Sequence, residues 1–450
     1  MKMALWKSPI RLTLLLTLML CAGSRAADDT AANIEAQIAQ LSSDDWKARQ
    51  SAMEKLVALG DDALPRLNRL ANSAGDSEVR TRAAAAINQI EENRLVGMTL
   101  VTLNLHDVPP AQALAELAKQ ARGPLFTDPA NLLLQKNLKP VSLVADHQPL
   151  WKMLRSLAAQ CDLEVTGITQ RNREIGLGLV RGNADWQDKP IVLSGPLLIR
   201  ADQLLRVSTA RLRSHDVIQE FNIAFTVFAE PKLKVMDYSG TVKLQEVVDD
   251  KGNSLIPPGG DVTPNVETFG NQREGGTTSR WEIGATLHYP KGVGTKITRF
   301  RGTTTVEVRT RSATLDIPLS QAHNLKRTVG GLRMVVKSAD TSRCDLTIFR
   351  DGRNDADWYG VRMQISAGEA VLQDDKGRVV ARSQNGVEAD DSPDGQRMET
   401  RLRFARDLFD DGTKESKKPA FSEASRLVWE FPTEVRELSV PFEFRDLPIP

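Results

Sequence analysis

Histidine is the first residue type whose chemistry would matter here, and His106, His147, His215, His288 and His323 stand too far apart for two to share a metal across one helical turn. A zinc centre wants three or four converging imidazole, thiolate or carboxylate donors. Cys161 and Cys344 do not supply them, so each imidazole is expected at the surface or half-buried. Carboxylates offer a second chemistry. Asp351, Asp355 and Asp357, with Asn354 among them, precede Trp358-Tyr359, and Asp407, Asp410 and Asp411 precede Gly412. Hard oxygen donors in a loop hold calcium weakly outside cells, which makes Asp351, Asp355 and Asp357 the calcium candidates. Neither cluster has the alternate-residue spacing of an EF-hand loop, and solvated turns are the expected role. The sequence contains no Gly-x-Ser-x-Gly elbow, phosphate-cradling loop or dinucleotide fingerprint, so no catalytic residue and no cofactor beyond that weak calcium is assigned.

Surface binding is the remaining chemistry. Trp281, Trp358 and Trp429 could stack on a sugar ring, although the alternating neighbours of Trp429 mark it as core. Arg299, Arg301, Arg309 and Arg311 share a strand-pair parity opposite Phe300, Val306 and Val308. Such a stripe could dock an anionic partner, an acidic glycan included; the plainer expectation is a solvated face that discourages edge pairing. The binding-surface candidates are therefore Arg299, Arg301, Arg309, Arg311, Trp281 and Trp358. Nucleic acid is disfavoured, because 59 Lys+Arg against 58 Asp+Glu leaves no basic footprint.

The elements that carry these residues begin after an export signal. Lys2, Lys7 and Arg11 precede the apolar run Leu12 to Ala22, and Ser24-Arg25-Ala26 puts small residues at the two cleavage-defining positions. That run is too short for a bilayer core, which needs about 20 residues. Residues 1–26 are expected to be removed near Ala26, giving an exported, periplasmic or secreted chain with no transmembrane segment. Cys21 would carry lipid only within a lipobox, and Leu20 stands where that box wants a small residue. Two remaining cysteines do not make a disulfide framework, and Cys161 and Cys344 are expected as buried free thiols.

Residues 27–95 read as helical. Ile34, Ile38 and Leu41 recur at helical spacing. Asp44 or Asp45 caps a helix whose face is Trp46, Ala48, Ala52, Leu56 and Leu59, and Gly60 ends it. Pro65 sits in the first turn of the next helix, and Val79, Ala83, Ile87 and Ile90 stripe a fourth. The run Asp45 to Ala52, then Leu56 to Gly60, Ala63-Leu64-Pro65 and Glu78 to Ala83 resembles a HEAT-type repeat. One repeat and part of a second imply a short cap, since free-standing solenoids need about three.

A shift of 40 residues lays Val101-Thr102-Leu103 on Val141-Ser142-Leu143, Pro109 on Pro149, Leu114 on Leu154 and Leu117-Ala118 on Leu157-Ala158. Each copy is an alternating strand, a helix entered through proline and a short strand near Leu125 or Val165. With a further strand at Ile175, Leu177 and Leu179, residues 96–185 are expected to form a small α+β domain, a duplicated βαβ. The stretch Leu103 to Pro109, followed by Ala113-Leu114, Leu117-Ala118 and Gln120, with its echo Asp146 to Leu157, resembles the short N-terminal domain of secretins and TonB-dependent receptors. The resemblance implies an interaction module of a Gram-negative envelope. No pore, plug or barrel sequence follows it, so the receptors' transport function is not carried over.

Beyond Lys189 the period becomes two, at Phe221 to Val227, Val242-Leu244, Val306-Val308, Val361 to Ile365 and Leu427 to Phe431, as in antiparallel sheets with one solvated side. Glu246 to Gly252 is echoed by Ala370 to Gly377, each strand running into Asp-Asp-Lys-Gly, a hairpin signal. The echo predicts two tandem β-sandwich-like domains, 186–325 and 326–450. Ile256 to Thr278 and Asn385 to Asp394 are expected as long polar loops. The closing stretch Val428 to Thr433 and Phe442 to Pro448 resembles exported proteins of planctomycete-like bacteria, which implies a lineage and no activity.

The expected fold is thus multidomain: a HEAT-like α-helical cap, a small α+β domain and two antiparallel β-sandwich-like domains. The expected function is a non-enzymatic scaffold or adaptor that binds an envelope protein partner. A carbohydrate- or peptidoglycan-binding protein is the alternative, and an enzyme with an unrecognised site in the β region ranks third.

Overall fold

The computed structural model describes residues 31–73, 75–135, 138–170, 173–182, 188–210, 217–258, 277–366, 368–406 and 423–450. The export signal and Asp407, Asp410 and Asp411 lie outside the described residues. A helical N-terminal region precedes a mostly β remainder, and the chain divides into two compact units, Met1–Val96 and Gly97–Pro450.

The first unit holds helices α1 (31–40), α2 (Trp46–Leu59), α3 (Leu64–Ser73) and α4 (Ser77–Val96). Asp45 starts α2 by accepting a hydrogen bond from the Lys47 amide at 3.0 Å, and Gly60 stops it at φ +60°. Ile34, Leu41, Ala52, Leu56, Leu67, Ala83, Ala86 and Ile90 form the core. Trp46 departs from its expected place on the inner face and is 62 % exposed. Six residues before buried Ala52, it lies about a third of a turn off the face that Ala52 and Leu56 bury.

The second unit opens with β1 (Leu100–Val108), α5 (Pro110–Ala121), β2 (Phe126–Asp128), β3 (Val141–Pro149), α6 (Leu150–Gln160), β4 (Leu163–Gln170) and β5 (Arg173–Arg181). β1 and β3 form an antiparallel pair, while β2, β5 and β4 form a second small sheet. Leu103, Leu117, Leu143, Trp151, Leu154, Leu157 and Leu179 fill the space around the two helices.

The next strands are β6 (Ile191–Ser194), β7 (Leu197–Ala210), β8 (Val217–Ala229), β9 (Val235–Tyr238), β10 (Lys243–Asp249), β11 (Arg280–His288) and β12 (Lys296–Pro318). They continue with β13 (His323–Val329), β14 (Leu332–Ala339), β15 (Arg343–Phe349), helix α7 (Asp355–Ser366), β16 (Glu369–Gln373), β17 (Val379–Asp391), β18 (Arg397–Arg406), β19 (Arg426–Phe444) and β20 (Leu447–Pro448). β6, β7, β8 and β11 make a four-stranded sheet; the rest belong to an eleven-stranded one.

The larger sheet runs straight through the division expected near Leu325. β12 and β19 pair antiparallel from Phe300↔Phe444 to Pro318↔Arg426, so the last strand returns to the body of residue 300. Two cores share these two strands. At one end Phe225 of β8 meets the rings of Phe300, Phe442 and Phe444 at 5.2–5.4 Å. At the other, Leu315, Ile317, Leu427, Trp429 and Phe431 pack with Leu346, Ile365, Leu372 and Leu402. Alternation identifies a strand's inner face without saying which core it enters, and this is why the boundary does not follow chain order.

Two expected local structures are corrected. Val361, Met363 and Ile365 belong to helix α7 rather than a strand: Trp358, Val361 and Ile365, spaced by three and four, are buried, while Met363 is 54 % exposed. Most of Asn385 to Asp394, expected as a loop, continues β17, which runs to Asp391. The Asp-Asp-Lys-Gly echo is reproduced bond for bond. Asp249 Oδ1 accepts from the amides of Lys251 (2.9 Å) and Asn253 (2.8 Å), and Asp374 Oδ1 from those of Lys376 (3.0 Å) and Arg378 (2.8 Å). Gly252 at φ +82° and Gly377 at +75° close the turns. Asp249 Oδ2 further accepts from Gly294 N at 2.7 Å. Asp249→Ala is therefore expected to cost about 2 kcal/mol, checked by urea unfolding.

Candidate interaction surface

The duplicated module repeats its side-chain chemistry as well as its elements. β1 and β3 lie in register with Leu103 opposite Ala145 and Leu105 opposite Leu143. The Asp107 amide donates to the Ser142 hydroxyl at 3.0 Å, and the His147 amide, 40 residues after Asp107, donates to the Thr102 hydroxyl at 3.3 Å. Asp107 and His147 both have positive φ, as do Arg122 and Asp162 after the helices. Gln120 uses its amide as a strand would: its Oε1 accepts from Thr102 N and its Nε2 donates to Thr102 O, both at 3.0 Å. Gln160 does the same to Ser142, at 3.1 and 3.2 Å.

Helices α5 and α6 cover the inner side of this pair, while Thr102, Asn104, Ser142 and Val144 face outward and are exposed. Val144, opposite Asn104, is 61 % exposed, and Leu100, at the start of β1 opposite Pro149, is 53 % exposed. The result is a small outward face of mixed character, held rigid from behind and capped at two edge positions by glutamines. Gln120→Ala is expected to cost about 1 kcal/mol and to raise amide exchange at Thr102 while leaving Ser142 protected, which hydrogen-exchange spectra would read.

The module is built into the β body. Its core continues into Leu198 of β7 and Phe228 of β8, and fully buried Trp151 donates its indole N–H to Pro196 O at 3.2 Å. Thr99, just before β1, donates through its amide and hydroxyl to Glu230, whose residue is 0 % exposed and whose other partner is Lys232 at 3.3 Å. Burial pushes the Glu230 carboxyl above its ordinary value against the pull of Lys232 and Thr99. Buried Arg200 bridges Glu164 of β4 (3.2 Å) and Asp202 of β7 (2.7 Å). Burial alone would raise Asp202, but hydrogen bonds from Thr226, Lys189 and Arg200 and the Arg200 charge hold it below the usual carboxylate range.

The residues expected to bind from sequence are placed otherwise. Trp281 is 3 % and Trp358 6 % exposed, so neither offers a stacking face. Trp281 lies on Tyr238 with centroids 5.5 Å apart, and Trp358 donates to Asp391 at 3.0 Å. Trp429 is core, as expected. The arginine stripe is neutralised by neighbouring strands: Arg299 and Arg301 each pair with Glu246 and Glu443 at 3.4–3.7 Å, Arg309 with Glu430 and Arg311 with Glu434 at 3.1 Å. Arg309 is 8 % exposed and cannot serve as a docking cation.

Asp351, Asp355 and Asp357 do not converge. Asp351 pairs with Arg333 and Asp355 with Arg350, and Asn354 caps α7 by accepting from Asp357 N at 2.8 Å. Asp355 and Asp357 then sit in the first turn of α7, where the helix dipole favours them. Among the described residues no group of three or more His, Cys, Asp or Glu could hold a metal ion. Cys161 and Cys344 are buried and free. Burial, then Asp345 and Asp340, pushes the Cys344 thiol up to about 12, far from a reactive thiolate.

Sequence reasoning missed the Gln120–Gln160 pair as a structural device, although the shift of 40 residues aligns them. It also missed a charged cleft of about 330 Å³ on the large sheet, lined by Lys337, Asp345, Glu388, Asp390, Glu399 and Arg401. No spacing could have shown that cleft, because its walls come from four strands. Its cations are engaged within it, Lys337 with Glu399 and Arg401 with Asp345 at 2.8 Å.

Among the described residues no helix is long and apolar enough to cross a membrane. Compared with known proteins, the chain matches no family model and no curated protein sequence.

Proposed function

We propose that this chain is an exported, non-enzymatic adaptor of a bacterial envelope that holds a protein partner on the outer face of β1 and β3. The observation that carries this reading is the module's construction: a two-stranded face with Asn104, Leu100 and Val144 exposed, backed by two helices and fixed to the β body through Trp151 and Glu230. A rigid support under a partly apolar exposed face is what recognition without an ordering cost needs. The export signal read in residues 1–26, the HEAT-like segment, the resemblance to the secretin and TonB-receptor short domain, and the sandwich-like packing of the β strands support the same assignment. A glycan-binding reading would need exposed stacking faces, which Trp281 and Trp358 do not present.

Deleting residues 96–182 would not test this, since it would strip the cover from Leu198 and Phe228. Surface substitutions do. Affinity capture of the full-length chain from its native envelope should recover a defined protein, and Leu100→Glu with Val144→Glu should lower that recovery by about tenfold or more. Tyr359→Glu, on α7, should leave it unchanged. Undiminished recovery with the Leu100/Val144 double variant would refute the assignment.

A further inference from the structure

Several strand edges among the described residues are protected, in different ways. Edge strand β13 exposes Lys326 and Arg327, a standard guard against strand addition. β1 and β3 have glutamine amides on their edges at Thr102 and Ser142. In the four-stranded sheet, β6 covers β7 only from Leu197 to Arg200, and a bulge follows between Ala201 and Gln203. β7 nevertheless continues to Ala210, paired on its inner side with β8 as far as Val217. Among the described residues, nothing pairs with the outer edge of Gln203–Ala210.

This free edge spans eight residues, longer than the about five to six of an ordinary strand. It contains no Pro, Lys or acidic residue. Its one charge, Arg206, is drawn off the edge onto the ring of Tyr289, 4.3 Å from the centroid. Leu205 is 48 % and Val217, at the tip of the ribbon, 61 % exposed. Unpaired backbone donors and acceptors beside exposed apolar side chains are what an added strand satisfies.

We infer that the occupant is the same strand of a second copy, and that the protein forms a two-fold dimer through β7. The strand is complementary to itself. Antiparallel pairing about Val207 sets Leu205 against Thr209, Arg206 against Ser208 and Leu204 against Ala210, with no like charges opposed. Such an isologous contact closes after two copies and merges two four-stranded sheets into one of eight strands. The surface lies on β7, apart from the β1–β3 face, so this inference is independent of the adaptor reading.

The test is the mass of the full mature chain by light scattering across a concentration series, on wild type and two variants. Leu205→Glu with Thr209→Glu places two like-charge pairs across the dimer axis and should weaken dimerisation by about tenfold. Leu205→Glu with Thr209→Lys turns those pairs attractive and should restore it. Both substituted positions, Leu205 and Thr209, are exposed in the monomer, and circular dichroism confirms that each variant is folded. A wild type that stays monomeric throughout, or a dimer indifferent to both variants, overturns the proposal.

Discussion

Trp151→Ala is expected to destabilise the Gly97–Pro450 unit by about 3–5 kcal/mol, the range for removing a fully buried large aromatic side chain. Trp151 is 0 % exposed, lies in the core that joins Leu154 and Leu157 of α6 to Leu198 and Phe228 of the neighbouring sheet, and ties that junction with its bond to Pro196. Its loss leaves a cavity at the junction and strips Pro196 O of a donor. Urea unfolding followed by near-ultraviolet circular dichroism reads the effect. Trp46→Ala, at an exposed site in the helical unit, should shift the midpoint little. Equal effects of the two substitutions would mean that the module is not mounted on the β body as described.

Glu230→Ala is expected to cost about 3–5 kcal/mol, because it leaves the Lys232 ammonium and two Thr99 donors without their carboxylate in a buried setting. Glu230→Gln keeps the shape and should cost less, and it isolates a pH effect whose sign follows from the raised carboxyl. The folded state binds this proton more tightly than the unfolded state, whose value is near the ordinary 4.5. Glu230 therefore adds stability as pH falls from neutral through its folded value, and the gain levels off below about 4.5. The wild type should gain on Glu230→Gln as the solution is acidified over that window. A difference that shrinks with falling pH would show that the ion pair with Lys232, rather than burial, governs the site.

What could be read from sequence was what short-range chemistry determines. The caps of α2, the positive-φ glycines of the Asp-Asp-Lys-Gly turns and the 40-residue duplication are local or periodic signals, and each has its counterpart in the structure. Residues 361–365 show where period alone misleads: three apolar residues in alternation read as a strand face, yet Val361 and Ile365 also share a helix face, and Trp358, one turn earlier on that face, with Met363 turned outward, marks the helix. The candidate surfaces were harder because they depend on distant strands. Arg299 and Arg301 look like a free stripe until Glu443, more than a hundred residues later, returns beside them on β19. Trp281 looks like a stacking platform until Tyr238 covers it. The split near Leu325 failed for the same reason, since β19 serves two cores that chain order would separate.

The adaptor reading is tested most directly by a photo-reactive amino acid placed at Asn104 or Val144 and irradiated in the native envelope, with Arg327 on β13 as the control position. The account predicts covalent capture of one defined protein from Asn104 and Val144 and none of it from Arg327. Capture of that protein equally well from the control, or of no protein from the β1–β3 face, would contradict it.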